Sequence, residues 1–178
     1  MKILIASDVH GSATCLKNVI DKFIEEKADK LVLLGDVYNH GPRNPFPEGY
    51  APMEVADILN EISDKLLVVK GNCDSAVDTM ISNFDFVENL CVCIGGKTAY
   101  LTHGHVYNKD AMPKTKFDLL IYGHYHTGFI KEENGTIIVN AGSISLPKCD
   151  TPASYLILTE NEIALKDLDG KIIQTRNF

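Results

Sequence analysis

The sequence predicts an α/β fold whose first half is a parallel sheet with covering helices. Three short, mostly apolar runs are each typical of a strand buried on both faces: KILIA (2–6), KLVLLG (30–35) and LLVVKG (66–71). The segments between them have apolar residues at helical spacing. Strands and helices that alternate in this way form right-handed βαβ units, so the three strands are expected to be parallel.

The two predicted helices have recognisable start signals. Ser12 is a candidate N-cap for the first helix, whose apolar stripe begins at Leu16 and whose end is expected near Lys27. Pro52 suits the first turn of the second helix. A proline- and glycine-rich loop, 37–52, precedes that helix and contains no obvious element, and a loop of this length favours a functional role.

The chain becomes rich in strands after residue 85. The segment CVCIGGKTAYLTHG is typical of a β-hairpin that turns at Gly95 and Gly96. Short strands are also predicted in FDLLIYG, GTIIVNAG, SYLILTE and EIALKDLDGKII. There is no internal repeat, low-complexity tract or linker, so we expect a single domain spanning residues 1–178.

Composition and charge exclude several classes of protein. The 178 residues are 45% hydrophobic and carry a net charge of −7, which argues against a general nucleic-acid or anionic-membrane binder. The N-terminus does not resemble a signal peptide, and no apolar segment reaches transmembrane length. A cytoplasmic protein is therefore expected. The five cysteines are an odd number, which argues against a disulfide framework.

The ends of five apolar runs share one feature, which is a side chain able to bind a metal ion. The carboxyl ends of parallel strands meet in one crevice, so residues far apart in sequence are expected to come together there. Carboxylates, imidazoles and an amide oxygen suit Mn²⁺, Fe²⁺, Zn²⁺ or Co²⁺ better than a structural zinc site. Seven donors exceed the needs of one ion, and two ions that share a carboxylate would use them all. The donors are Asp8, His10, Asp36, Asn72, His103, His124 and His126.

The motifs D-x-H, G-D, G-N-x-D, G-H and G-H-x-H, in this order, resemble the calcineurin-like metallophosphoesterase superfamily. The resemblance covers residues 1 to about 145, and the small size and the 37–52 loop are similar to the YfcE-type bacterial phosphodiesterases. It implies a four-layer α/β/β/α sandwich, with two mixed sheets flanked by helices. It also implies a phosphodiesterase, in which a hydroxide activated at a dinuclear metal centre attacks phosphorus.

The resemblance further implies how the donors divide between two ions. Asp8, His10, Asp36 and His126 would hold one ion, and the second would take Asn72, His103 and His124 with Asp36 as the bridge. Mn²⁺ is the metal expected, with Fe²⁺, Ni²⁺, Zn²⁺ and Co²⁺ as alternatives. The expected partner is a small phosphodiester, with no stable nucleic-acid binding and no membrane. A homo-oligomer is plausible for a compact enzyme of this kind.

The sequence departs from the commoner family pattern at Cys73, where many relatives have a histidine that contacts the substrate. Cys73 cannot act as an imidazolium acid, so no catalytic acid is assigned, and Cys73, Asp74 and His105 remain candidates. Asp74, without its usual histidine partner, is expected to orient Asn72 or to cap a helix that begins near Ser75.

Other residues are candidates for contact with the substrate. His105 and two residues of the 37–52 loop, His40 and Arg43, are the substrate-binding candidates, and an arginine fork suits a phosphate oxygen. The segment 140–143 could close the rim of the site, although a simple turn is preferred.

Three other functions stay open at this point. A phosphomonoesterase of the same superfamily is the main alternative, and Cys73 counts against it. A non-catalytic scaffold with the same fold would be expected to lose ligand histidines, which this chain retains. A metallo-β-lactamase-like hydrolase would show an HxHxDH cluster on one loop, and the sequence has none.

Overall fold

The computed structural model describes residues 1–178 and has two mixed β-sheets packed face to face. Two α-helices are present, α1 (Ala13–Glu25) and α2 (Pro52–Glu61). Two short 3₁₀-helices cover Ser63–Lys65 and Ala76–Met80. The twelve strands are β1 (Ile3–Ala6), β2 (Lys30–Leu33), β3 (Leu66–Val69), β4 (Phe86–Val87), β5 (Leu90–Ile94), β6 (Lys97–Leu101), β7 (Leu119–Tyr122), β8 (Phe129–Glu133), β9 (Thr136–Asn140), β10 (Ser154–Leu158), β11 (Glu162–Asp167) and β12 (Ile172–Asn177).

The first sheet has the strand order β12-β11-β10-β1-β2-β3-β4. Strands β1 to β4 are parallel, as the βαβ pattern predicts, and β10 pairs with β1 in the antiparallel direction. The helix signals are also confirmed. The Ser12 side chain accepts a hydrogen bond from the backbone N–H of Cys15 at 3.2 Å, and α2 begins at Pro52.

The second sheet has the order β5-β6-β7-β9-β8. Strands β6, β7 and β9 are parallel, and β5 and β8 are antiparallel strands at the two edges. The hairpin predicted at Gly95 and Gly96 joins β5 to β6. The carboxyl ends of β6 and β7 supply the second set of histidines.

The alternation of side chains along β1 shows why its sequence is wholly apolar. Leu4 and Ala6 belong to the core beneath the two helices, which also contains Leu16 and Leu59. Ile3 and Ile5 belong to the core between the sheets. A strand buried on both faces has no position for a polar residue, so no period-2 pattern is visible in its sequence.

The α/β sandwich agrees with the predicted fold class, and its outer layers differ from each other. Both α-helices pack against the first sheet. The outer face of the second sheet carries a smaller cluster that includes Tyr100 and Tyr122, covered in part by Tyr107 and Phe117 from the non-helical segment 102–118. No helix of the structure has the length and hydrophobicity needed to cross a lipid bilayer.

Candidate metal centre

The seven side chains predicted as metal ligands lie together where strand ends of both sheets meet. The first sheet supplies Asp8 and His10 after β1, Asp36 after β2 and Asn72 after β3. The second sheet supplies the other three histidines after β6 and β7. Three groups of possible ligand atoms each have every atom within 4.8 Å of the others: Asp8 with His10 and His126, Asp36 with His103 and His124, and Asp36 with His10 and Cys73.

The first group is a set of hydrogen-bond acceptors that face one another. The Nε2 atoms of His10 and His126 are 3.1 Å apart, and Oδ1 of Asp8 lies 3.2 Å from the Nε2 of His126 and 3.7 Å from that of His10. Oδ1 is fully buried and has no hydrogen-bond partner. Atoms that share one ion at about 2.1 Å lie about 3.0–3.4 Å apart in octahedral or tetrahedral geometry, so the spacings of 3.1 and 3.2 Å suit a common cation and the third is slightly longer.

Backbone carbonyls orient three of the four imidazole rings. In each ring the Nδ1 atom contacts a carbonyl oxygen, which requires the hydrogen to be on Nδ1 and leaves Nε2 with a lone pair. This arrangement is typical of metal-binding histidines because the second nitrogen is then fixed in tautomer and direction. The contacts are His10 with Asn39 at 2.8 Å, His103 with Leu34 at 2.7 Å and His126 with Leu146 at 2.7 Å.

The second group has His103 at its centre. Its Nε2 lies 3.0 Å from Oδ1 of Asn72 and 3.2 Å from Nδ1 of His124. Oδ2 of Asp36 lies 3.5 Å from the same nitrogen. The four atoms are oxygen or nitrogen donors, which suit a divalent transition-metal ion.

Asp36 lies between the two groups. One oxygen, Oδ2, is 3.8 Å from Nε2 of His10 and 3.5 Å from Nε2 of His103. The other oxygen, Oδ1, accepts a hydrogen bond from the backbone N–H of Cys73 at 2.8 Å. This hydrogen bond fixes the rotamer of the carboxylate, so that Oδ2 is directed towards both groups.

The backbone at these positions is strained. A positive φ angle is uncommon for residues other than glycine, and it persists where the surrounding structure enforces it. Five of the seven predicted ligands have positive φ values between 49° and 62°. They are Asp8, His10, Asp36, His124 and His126.

The pKa shifts show that the buried carboxylates stay ionised and that the rings differ in their affinity for a proton. Burial lowers the pKa of His103, but contact with Asp36 and the charge of Asp8 outweigh burial and raise the pKa to about 9. Burial raises the pKa of Asp8, but the adjacent rings of His10 and His126 hold it well below its ordinary value. Burial and the charge of His103 lower the pKa of His124 to about 4, which keeps that ring neutral.

Cys73 and Asp74 have different roles from those expected. Asn72 Nδ2 lies 3.2 Å from Cys73 Sγ, so Cys73, rather than Asp74, orients the amide of Asn72. Burial and the charge of Asp36 raise the pKa of the Cys73 thiol to about 12, which makes it a poor nucleophile at neutral pH. Asp74 accepts three backbone hydrogen bonds, from Asp36, Val37 and Gly71.

A cavity of about 840 Å³ opens over the metal centre. Arg43 lines this cavity together with Cys73, whereas His40 and His105 are not among its lining residues. His40 packs instead against Phe46 and Tyr50, with ring centroids 4.4 and 5.5 Å away. The exposed His105 ring lies beside the centre, 5.3 Å from the His103 ring.

The segment 140–143 lies behind the metal centre and not at its rim. Asn140 is fully buried and donates a hydrogen bond to the carbonyl of Gly123 at 2.6 Å. Ser143 is also buried, and its hydroxyl donates to the carbonyl of Asp8 at 2.8 Å. Both residues therefore support the backbone of the predicted ligands.

Sequence reasoning did not identify Lys148, which also lines the cavity. It follows Pro147 in a segment with no motif, and no spacing signal distinguishes it from a surface lysine. Lys148 reaches the cavity because the loop that follows β9 turns back towards the site, and the sequence contains no signal for this path.

Comparison with known proteins agrees with the geometry. The family model of the calcineurin-like phosphoesterase superfamily domain matches residues 1–162. The phosphodiesterase YfcE of Escherichia coli K12 is 41% identical over 175 residues, which are 97% of this chain and 95% of that protein. The probable metallophosphoesterase YsnB of Bacillus subtilis strain 168 is 31% identical over 173 residues, 92% of this chain and 88% of that protein.

A solved structure of YfcE, described as a phosphoesterase from E. coli, has the same architecture. Its TM-score is 0.95 at 39% sequence identity, and the match covers 99% of each chain. The fold class and the resemblance found in the sequence are thereby confirmed. Phosphoesterases are hydrolytic enzymes, and the metallophosphoesterase family implies divalent metal ions. By its sequence and its fold, the chain belongs to the calcineurin-like phosphoesterase superfamily.

Proposed function

We propose that the protein is a metal-dependent phosphodiesterase with two divalent ions. Asp8, His10, Asp36 and His126 would hold one ion, and Asn72, His103 and His124 would hold the other together with Asp36. The observation that carries this proposal is the cluster of acceptor atoms around the buried, unpartnered Oδ1 of Asp8. Such a cluster is unfavourable unless a bound cation or a proton on one of the rings neutralises it, and a divalent cation would satisfy all three atoms at once.

The donor types support a pair of labile, catalytically useful ions. Bound there, the ions would supply Lewis acidity towards phosphoryl oxygens and a water acidic enough to be a nucleophile near neutral pH. Asp36 would be shared, because its Oδ2 faces both His10 and His103. The carbonyl contacts of the imidazoles would keep Nε2 directed at the ions throughout turnover.

The protein itself has no competent nucleophile at this position. The Cys73 thiol is protonated because its pKa is raised to about 12. The hydroxyl groups of Ser7 and Ser143 are committed to Asp8, the first to its carboxylate and the second to its carbonyl. A water activated at the centre is therefore the nucleophile that we propose, without a covalent enzyme intermediate.

A diester substrate is preferred over a monoester for two reasons. The relative with 41% identity is named a phosphodiesterase. In addition, this chain has Cys73 where many relatives have a substrate-contacting histidine, and a thiol cannot donate a hydrogen bond of imidazolium strength to a third phosphoryl oxygen. The phosphomonoesterase and the non-catalytic scaffold remain the alternatives to be tested.

Nitrogen and oxygen donors suit several metals, and Mn²⁺ is our first choice. Fe²⁺, Ni²⁺, Zn²⁺ and Co²⁺ have compatible ligand preferences. We further propose a cytoplasmic location, a small phosphodiester as the partner, no stable nucleic-acid or membrane binding, and a homo-oligomeric state. The net charge of −7 is the observation that supports the absence of nucleic-acid and membrane binding.

The test is hydrolysis by metal-stripped protein with each metal added back in turn. Bis(p-nitrophenyl) phosphate and p-nitrophenyl phosphate serve as the diester and the monoester. We expect diester hydrolysis to return with Mn²⁺ and to be lost in the Asp36→Asn variant. The exposed Asp57→Asn variant is the matched control. Stoichiometric metal binding without hydrolysis of either ester would favour the scaffold, and faster monoester hydrolysis would favour the phosphomonoesterase.

A further inference from the structure

Two cationic side chains line the cavity over the metal centre without any partner in the protein. Arg43 comes from the 37–52 loop and Lys148 from the segment that follows β9. The ion pairs of the chain all involve other residues. Both side chains are exposed and are therefore free to bind a ligand in the cavity.

Lys148 is on a segment that is fixed to the metal centre. Nδ1 of His126 donates to the carbonyl of Leu146 at 2.7 Å, and the backbone N–H of Lys148 donates to the carbonyl of His126 at 2.9 Å. The next two residues, Cys149 and Asp150, have positive φ angles of 55° and 57°. A segment with two anchoring hydrogen bonds and two strained residues holds the Lys148 backbone in one place.

Arg43 is on a turn that is fixed in the same manner to another histidine. Nδ1 of His10 donates to the carbonyl of Asn39 at 2.8 Å, and the side chain of Asn39 accepts from the N–H of Gly41 at 2.8 Å. The N–H of Asn44 donates to the carbonyl of Gly41 at 3.2 Å, which closes a turn around Arg43.

These two anchors are on the same side of the centre. His10 and His126 are neighbours, with Nε2 atoms 3.1 Å apart. Arg43 and Lys148 therefore belong to segments that leave the same half of the site, next to Asp8. The anchoring of both segments to this half of the site supports a common role for the two cations towards one part of a bound ligand.

The charges of the cavity lining contrast with those of the whole chain. The residues that line the cavity include one carboxylate, Asp36, and two cations, Arg43 and Lys148. The chain as a whole has a net charge of −7. The single negative charge of a phosphodiester would be taken up at the metal centre. The two cations then have no substrate charge to bind unless the substrate carries a second anionic group.

We propose that Arg43 and Lys148 are specificity-determining residues that bind a second anionic group, a phosphate on the ester arm that is not cleaved. The substrate class is then a phosphodiester of nucleotide size with an additional terminal phosphate. A cavity of about 840 Å³ has room for such a molecule, since pockets for ligands of this size measure about 300–1,000 Å³. This inference rests on the proposed phosphodiesterase function for the identity of the reacting group.

The catalytic test compares two substrates that differ only in that phosphate. They are the p-nitrophenyl ester of thymidine 5′-phosphate and the same ester with a 3′-phosphate. For the Mn²⁺-loaded protein we expect kcat/KM for the 3′-phosphorylated ester to exceed that for the plain ester by about tenfold or more. This is the increase in affinity that one good charge-assisted hydrogen bond provides. Lys148→Gln and Arg43→Gln should each remove most of this preference.

Two control variants separate direct contact from the effect of net charge. Lys171→Gln removes one positive charge from an exposed position in the β11–β12 hairpin and should leave the preference unchanged. Lys148→Arg keeps the charge and should retain most of the preference. Equal effects of Lys171→Gln and Lys148→Gln would mean that net charge alone attracts the substrate, which would overturn the proposal.

A binding measurement makes the inference independent of catalysis. Calorimetry with protein in a chelator would compare thymidine 3′,5′-bisphosphate with thymidine 5′-phosphate, and we expect the bisphosphate to bind more tightly only while Arg43 and Lys148 are present. Hydrolysis of both esters at equal rates would overturn this inference and leave the phosphodiesterase standing. Hydrolysis of neither ester would count against the phosphodiesterase, and the calorimetric preference would still decide for or against the second phosphate site.

Discussion

The carboxylate of Asp74 accepts a hydrogen bond from the backbone N–H of Asp36 at 2.8 Å, across 38 residues of sequence. The same carboxylate accepts from Val37 at 2.8 Å and from Gly71 at 2.7 Å. Asp74 therefore joins the turns that follow β2 and β3, and holds in place the residue proposed to bridge two ions.

Replacement of Asp74 by alanine should destabilise the fold and the centre together. Three buried N–H groups would lose their acceptor, and we expect the free energy of unfolding to fall by about 3 kcal/mol. Urea denaturation of the metal-free protein measures this change, with the exposed Asp57→Ala as the control. An Asp74→Ala variant of unchanged stability but without activity would indicate that Asp74 acts on the substrate instead.

Replacement of Cys73 by histidine should change the preference between substrates. Cys73 lines the cavity, and an imidazole there could donate a hydrogen bond to a phosphoryl oxygen. We expect the ratio of diester to monoester hydrolysis to change by about tenfold or more, the value of one charge-assisted contact. Kinetics with both p-nitrophenyl esters provide the measurement, and Cys73→Ser is the control for loss of the thiol. An unchanged ratio in Cys73→His would refute the role assigned to this position.

A methyl group at Gly123 should disturb the first group of proposed ligands, which contains Asp8. A Cβ atom there would overlap Oγ of Ser7 and approach Oδ2 of Asp8 to 2.6 Å. We expect Gly123→Ala to weaken Mn²⁺ binding by about tenfold, because the Asp8 carboxylate must move away from His10 and His126. Equilibrium dialysis of Mn²⁺ is the measurement.

The Ser7→Ala substitution tests the cause of that effect. It removes the hydroxyl that the new methyl would overlap, so the double variant should bind Mn²⁺ more tightly than the sum of the single effects predicts. Strict additivity of the two substitutions would show that the methyl group acts through its contact with Asp8 and not through the Ser7 hydroxyl.

The ion pair of Glu26 with Lys166 should make stability depend on pH in the acidic range. Glu26 Oε1 lies 2.5 Å from the Lys166 ammonium and Oε2 lies 3.4 Å from that of Lys2. Burial raises the pKa of Glu26, but the two lysines outweigh burial and lower the pKa below its ordinary value. The stabilisation is therefore complete above the unfolded-state pKa and is lost as the pH falls through the lower pKa of the folded state.

The measurement is the free energy of unfolding of wild type and Glu26→Gln between pH 3 and pH 7. We expect the variant to be less stable by about 1 kcal/mol at neutral pH, with a difference that disappears at the acidic end. Glu25→Gln is the control, since Glu25 is exposed and pairs only with its helix neighbour Lys22. A difference that is constant over this range would exclude the ion pair as its source.

The centre was predictable because its donors directly follow strands that are visible in the sequence. The run that ends at Ala6 is followed at once by Asp8 and His10, and the run that ends at Tyr122 by His124 and His126. Parallel pairing gathers the ends within each sheet, β1 with β2 and β6 with β7, and the packing of the two sheets then brings His126 to Asp8 and His10.

The features that escaped sequence reasoning depend on contacts without a local pattern. The edge strand β8 was not predicted, because most of FIKEE is polar or exposed and shows no buried face. The last apolar segment was read as one piece, and it forms two strands around a turn at Gly170. The roles of Asp74 and Lys148 come from hydrogen bonds to residues 38 and 22 positions away, which no motif encodes.

The order of the proposed ligands along the chain has a consequence for biosynthesis. Asp8 and His10 emerge from the ribosome more than a hundred residues before their partner His126, which lies on the opposite sheet. A nascent N-terminal segment therefore has only an incomplete set of donors, and tight capture of the ion there must wait until both sheets have been made and docked. Metal loading would then be a late event in maturation, and the ion would link two sheets whose ligand residues are synthesised at different times.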